Sequence, residues 1–115
     1  MLGRTGSRRP AWPLGRVAVA GASMLPTLHP GDWLVVRWGA HVRPGDVVVA
    51  RRPDRPGLLL VKRVVRREPG GWWLVGDNPG ASDDSRLFGP VADDLVLGRV
   101  LGRYWPLGRR RVFPV

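Results

Sequence analysis

Eighteen of the 19 basic side chains in this 115-residue sequence are arginine, and Lys62 is the single lysine. A guanidinium stays protonated in any protein environment, whereas an ammonium can lose its proton when desolvated. A lone lysine therefore marks a position that uses an amine. In an extended chain Leu58, Leu60 and Val64 share its face at period two. That face is apolar, and burial there disfavours the charged form. Moving a lysine from about 10.4 to about 8 takes roughly 3 kcal/mol, within reach of burial alone. A neutral amine so placed can take the proton of a serine hydroxyl. The competing reading is a lysine whose stem lies on the apolar face and whose head is wet.

Ser23 is the matching hydroxyl. It stands where an alternating apolar segment ends, in Ala22-Ser23-Met24-Leu25-Pro26-Thr27-Leu28. A serine at a strand end, followed by a proline-constrained loop, can present its hydroxyl into a groove and its own N–H to a reacting carbonyl. The bland alternative is a serine that caps a turn. A third feature is the run from Gly76 to Arg86, which gathers small hydrogen-bonding side chains, carboxylates and one arginine. Asp84 and Arg86 are spaced for a local ion pair, and Ser82 can donate to or accept from a neighbouring amine. As a solvated surface loop it would do none of this. His29 and His41 lie beside turn residues and outside any metal-ligand spacing, so the sequence implies no metal and no cofactor. Cysteine is absent, which removes disulfides and thiol nucleophiles.

The elements that must position these groups read as strands. Residues 16–22, 33–37, 46–51, 58–66, 72–75 and 95–105 are apolar or alternating, and Gly and Pro punctuate the gaps. Pro-Gly-Asp occurs at 30–32 and again at 44–46, each time before an apolar run, which marks two tight turns into strands. Pro53 to Gly57 reads as a turn, and Gly76 to Pro90 as a polar loop. No segment keeps a helical period. The expected fold is all-β, a small coiled sheet or partly open barrel. Residues 1–15 read as a flexible basic arm, 16–106 as the domain and 107–115 as a basic tail.

The length supports one domain, and 43% hydrophobic residues suffice for a core. A net charge of +10 invites a nucleic-acid reading. The arginines are scattered apart from 8–9 and 109–111, so specific nucleic-acid binding is not expected, and a basic β-module for single strands is kept as the alternative. Weak attraction to anionic membrane surfaces is another use of the charge. No stretch of ~20 apolar residues is present to span a bilayer, so the expected location is cytoplasmic, with at most peripheral membrane contact.

Taken together, Ser23 to Leu28 with Gly31-Asp32, Gly45 to Val49, Val61 to Val65, and Gly76-Asp77-Asn78 with Ser82, Asp84-Ser85-Arg86 and Gly89-Pro90-Val91 resemble the type I signal peptidase family of serine–lysine endopeptidases. The four motifs stand in the family's order and cover most of residues 19–104. The resemblance implies a coiled-sheet peptidase core, Ser23 as nucleophile and Lys62 as general base. It further implies that Ser82 orients the Lys62 amine, that Asp84 and Arg86 support the site and that Met24 lines the substrate cleft. The Ser23 N–H would serve the oxyanion hole; the position two before it, which often supplies a hydroxyl in the family, is Gly21. The family's preceding membrane segments and large accessory β-region have no counterpart in this sequence. The segments 71–79 and 98–106 resemble a narrower group, the maturation proteases of nickel-type superoxide dismutase. The implied partner is then a precursor polypeptide with an N-terminal leader; general processing of secreted preproteins is the neighbouring alternative. The self-cleaving domains of SOS repressors share the serine–lysine chemistry but come with a DNA-binding domain or a cleavable linker.

Overall fold

A computed structural model describes residues 13–39, 41–106 and 111–112. The chain forms seven strands: β1 (Leu14–Ala18), β2 (Trp33–Trp38), β3 (Val47–Arg52), β4 (Arg55–Glu68), β5 (Gly71–Val75), β6 (Val96–Trp105) and β7 (Arg111–Val112). They make one sheet in the order β1-β2-β6-β3-β4-β5, with β7 on β6, and every pairing is antiparallel. The all-β expectation holds. Among the described residues, helix is confined to a four-residue turn, α1 (Ser85–Phe88), and two 3-10 turns at Pro79–Ala81 and Asp93–Leu95.

Strand β3 lies between β6 and β4, so both of its edges are paired, and Val47, Val48, Val49 and Ala50 are all buried, so both of its faces are covered as well. Its side chains split by parity. Val47 and Val49 join Val19, Met24, Leu28, Leu34, Val36 and Val100 in one core. Val48 and Ala50 join Val64, Leu74 and Val91 in another. Each fully buried Val or Leu contributes about 1.5–3 kcal/mol, so a sheet with two small cores is held from both sides. Met24 and Leu28 place the segment after Ser23 inside the first core.

The repeated Pro-Gly-Asp segments fold alike. His29 accepts from the Asp32 N–H at 3.0 Å, and Arg43 accepts from the Asp46 N–H at 3.0 Å. Gly31 and Gly45 sit at φ 89° and 96°, the left-handed conformation that the third residue of a type II turn requires. The Asp side chain then closes each turn by accepting the backbone N–H three residues back, His29 to Asp32 and Arg43 to Asp46, both at 2.8 Å.

Several boundaries differ from the sequence expectation. β1 covers 14–18 rather than 16–22, because pairing with β2 ends at Ala18↔Trp33. Beyond it Val19 bonds instead to the base of the next loop, donating to the Asp32 carbonyl and accepting from Gly31, both at 2.8 Å. Leu14 and Gly15, expected in the arm, are therefore strand, and Pro13 before them accepts from the Trp38 N–H at 2.6 Å; residues 1–12 of that arm lie outside the described residues. The turn expected at Pro53 to Gly57 is shorter, since Arg52 pairs with Arg55 and β4 starts there. Residues 56–58 bulge between that pair and Arg51↔Leu59, which accommodates Pro56 in a strand. In the expected basic tail, Arg111–Val112 pair with Arg103 and Gly102 of β6, while 107–110 and 113–115 lie outside the described residues.

Candidate active site

The loop between β1 and β2 carries Ser23 and is closed on itself. Leu25 donates to the Ala22 carbonyl at 3.2 Å and Leu28 to the Met24 carbonyl at 2.9 Å, while the base is sealed by Val19, Gly31 and Asp32. Asp32 is fully buried and faces the buried Arg103 of β6 at 3.7 Å, which ties the end of the loop to the middle of the sheet. Among the described residues, the Ser23 hydroxyl and N–H make no hydrogen bond, so both are free to meet a ligand. Gly21 is exposed at φ 79°, with open space where a Cβ would stand.

Lys62 lies in the middle of β4, opposite the fully buried Val48, and is 4% exposed. Its face is closed at the Val64 end and open at the other. Leu58, expected to bury it, is 42% exposed because the β3–β4 bulge carries that end away from the sheet. Burial pushes the Lys62 amine below the ordinary lysine range, against the pull of Asp84 and Asp83 and with the help of Arg52 and Arg86. Ser23 and Lys62 both line one cavity of about 180 Å³, which Val17, Val19, Met24 and Val61 also line.

The segment after β5 brings the remaining groups over Lys62. Its amine donates to the Ser82 hydroxyl at 3.2 Å, and that hydroxyl donates to Asp84 Oδ2 at 2.7 Å. Asp84 is fully buried and also accepts from the Gly76 N–H at 2.9 Å and from Arg86 Nε at 2.9 Å and Nη2 at 2.5 Å. Burial alone would push this carboxyl up. The donors from Arg86, Gly76 and Ser82 outweigh burial and hold it well below the usual carboxylate range. The segment 76–90 is the polar loop expected, but it is anchored to the sheet by its buried residues and is not a wholly solvated loop. Asp84 caps α1 through the Arg86 N–H and Ser85 is buried with its hydroxyl accepting from Leu74 N–H at 2.8 Å, while Pro79 to Ala81, Asp83, Arg86 and Leu87 stay exposed.

Five positions without a role in the sequence reading, Thr27, Arg63, Gly76, Asp77 and Asn78, also hold the site together. Asn78 grips the backbone on either side of the Ala22–Ser23 peptide, its N–H donating to the Ser23 carbonyl at 2.8 Å and its side-chain amide to the Ala22 carbonyl at 3.0 Å. Asp77 accepts from Thr27 Oγ1 at 2.6 Å and from Arg63 Nε and Nη2 at 2.9 and 2.8 Å, and so links the Ser23 loop to the residue after Lys62. Here too burial opposes and the Arg63 and Thr27 bonds prevail, keeping the carboxyl low. Gly76 lies where a Cβ would come within 2.3 Å of Ser82 Oγ and 2.6 Å of the Ser23 carbonyl oxygen. The signal for Asp77 and Asn78 was their place directly after a strand; which backbone atoms they reach follows from the tertiary fold alone.

A single coiled sheet with a serine and a buried amine on one cavity wall fits a peptidase, and residues 10–100 match the peptidase S24-like family. The chain belongs to that family. Among curated relatives it is 34% identical over 119 residues to mitochondrial inner membrane protease subunit 1 of Xenopus tropicalis, covering 82% of this chain and 71% of that protein. It is 36% identical over 123 residues to subunit 2 of Danio rerio, covering 84% and 67%. It is 38% identical over 122 residues to the ATP-independent inner membrane protease subunit 1b of Arabidopsis thaliana, covering 81% and 72%. Among the described residues, no helix is long and apolar enough to cross a membrane.

Proposed function

We propose that the protein is a serine endopeptidase in which Ser23 attacks the scissile carbonyl and Lys62 is the general base. The observation that carries this reading is the buried Lys62 amine, held by Ser82 on the cavity wall it shares with Ser23. Ser82 gives its only proton to Asp84, so it meets the amine as an acceptor. A neutral amine that donates one N–H to Ser82 keeps its lone pair for the Ser23 hydroxyl. As the Ser23 oxygen adds to the carbonyl carbon, its proton passes to Lys62, and the free Ser23 N–H receives the developing oxyanion. Lys62 then returns the proton to the leaving amine, and water repeats the sequence on the acyl-enzyme. Met24 and the apolar residues beside it suit a substrate segment with small side chains.

The substrate class we propose is a precursor with an N-terminal leader, and specifically a nickel-type superoxide dismutase precursor, whose metal-binding hook needs a free new N-terminus. Support for the specific substrate comes from the resemblance at residues 71–79 and 98–106; the curated relatives are named as membrane proteases. A soluble precursor with an exposed leader suits action in the cytoplasm or at a membrane surface. The nucleic-acid alternative is weakened by how the arginines are used. Arg66 and Arg67 stack on Trp73 and Trp72 at 4.8 and 4.9 Å and are ion-paired with Glu68 and Asp93.

The test is cleavage of the dismutase precursor and of an Ala-x-Ala secretory precursor by wild type, Ser23→Ala, Lys62→Ala and Lys62→Arg. All three variants are expected to be inactive and folded, Lys62→Arg because a guanidinium stays protonated. Activity in Lys62→Arg would remove the general-base assignment. Cleavage of the secretory precursor alone would replace the dismutase substrate with general preprotein processing. Salt-sensitive binding of single-stranded nucleic acid without cleavage of either would favour the basic module.

A further inference from the structure

Arg52 ends β3, 13% exposed, and spends its guanidinium in three directions. Nε and Nη2 bond to Asp54 in the β3–β4 turn at 2.6 and 3.3 Å. Nη1 bonds to Asp83 at 3.3 Å, and the guanidinium carbon lies 5.3 Å from the centre of the Phe88 ring. Asp83 lies between Ser82 and Asp84 in the segment that covers Lys62, and Phe88 closes the short helix that follows them. Arg52 thus fastens that segment to the β3–β4 hairpin at two points, in a planar, multi-donor geometry that a lysine would not reproduce. None of the sequence motifs includes it.

The charges around the Lys62 amine come in opposed pairs. Asp84 and Asp83 favour the ammonium, and Arg52 and Arg86 oppose it. Arg86 answers Asp84 in a 2.5 Å ion pair, and Arg52 answers Asp83. With both guanidiniums present the formal charges of the four groups cancel, and burial decides the state of the amine. Without Arg52 the carboxylates prevail and the amine keeps its proton into more alkaline solution.

We propose that Arg52 is a positioning residue for the Lys62 amine, clamping the Ser82 segment through Asp83 and Phe88 and balancing the carboxylate charge gathered there. The proposal rests on the Ser23–Lys62 reading for its consequence in catalysis, but its test does not. Lys62 is the only lysine, so protein labelled with isotopic lysine gives one side-chain resonance, and the amine can be titrated directly without substrate.

The Lys62 resonance is followed against pH at low salt in wild type, Arg52→Met, Asp83→Asn and the double variant. Arg52→Met is expected to move the midpoint up by about half a pH unit or more. Asp83→Asn is expected to move it down by roughly a few tenths, less because Asp83 is exposed and screened. The double variant is expected to fall between the two. Shifts of the same sign would mean that Arg52 and Asp83 only hold the segment in place, and would overturn the charge balance, as would no shift in either. If Arg52→Met fails to fold, Arg52→Gln, which keeps a donor for Asp54 and Asp83, replaces it: an upward shift supports the charge balance and an unmoved midpoint overturns it. A wild type that cleaves no peptide would remove the peptidase reading and leave these titrations standing; unshifted midpoints in an active enzyme would do the reverse.

Discussion

Ser82 gives its hydroxyl proton to Asp84 at 2.7 Å and receives the Lys62 amine on the opposite side at 3.2 Å. The direction of this chain matters more than its length. Asp84, kept ionised by Arg86 and the Gly76 N–H, can only accept. Ser82 is thereby fixed as an acceptor toward Lys62, and the amine is turned so that a donor points at Ser82 and its lone pair points away. A hydroxyl without the carboxylate behind it would be free to donate to the amine and occupy that lone pair.

Ser82→Ala removes the acceptor and leaves the amine unoriented. One hydrogen bond to such a group is worth about 1–3 kcal/mol, or roughly ten- to a hundredfold in rate. The loss is expected in kcat, with KM little changed, since Ser82 is placed to touch the base and not the substrate. Steady-state kinetics check it; full activity would assign the orientation of Lys62 to another group.

Asp84→Asn is expected to separate basicity from activity. Removing the carboxylate takes away the largest of the charges that favour the ammonium, so the ascending limb of the pH–rate profile moves to lower pH. The amide can donate to Ser82, which then turns its proton toward the Lys62 lone pair, and the maximal rate falls. A profile that keeps its limb while losing height would show that Asp84 does not act through the charge on the amine.

The two Pro-Gly-Asp turns were legible because their chemistry is local: proline sets one dihedral, glycine accepts the next, and aspartate closes on the chain three residues back. The all-β fold followed from the apolar runs between such breakers. Lys62 stood out by type alone. Its surroundings did not, because period two named Leu58 as a neighbour and a bulge at 56–58 withdrew it. The reach of Asn78 to the Ser23 backbone and the Thr27–Asp77–Arg63 link join segments 14 to 56 residues apart, and no spacing rule predicts them. The burial of Asp84 within the polar segment 76–90 was hidden by its type, since a carboxylate is buried here only because donors from three residues surround it.

Gly76→Ala tests whether the Ser23 loop and the Ser82 segment are in register. The added methyl would lie 2.3 Å from Ser82 Oγ and 2.6 Å from the Ser23 carbonyl, and neither neighbour is a flexible chain end. Overpacking of this kind costs typically 1–3 kcal/mol. Both a lower denaturation midpoint and a loss of activity larger than that of Ser82→Ala are expected, because nucleophile and base are displaced together. Wild-type kinetics in this variant would mean that the two segments move as one body.

The stability of the protein should carry the signature of its buried lysine. In the native state the Lys62 amine is less basic than in the unfolded chain, because burial opposes the charge. At a pH below both values each state is protonated, and the full cost of burying the ammonium is present. As pH rises from the native value toward the unfolded one, the unfolded chain holds the extra proton, and stability rises with pH across that window. Lys62→Met keeps the length of the side chain and removes the titration. The difference in unfolding free energy between Lys62→Met and wild type, measured by denaturant at a series of pH values from 6 to about 10.5, is therefore expected to favour the variant most at the acid end and to shrink steadily toward the alkaline end. A difference that stays constant across the range would show that the amine titrates as a solvated lysine, and with it would go the premise that a neutral base is available to Ser23 near neutral pH.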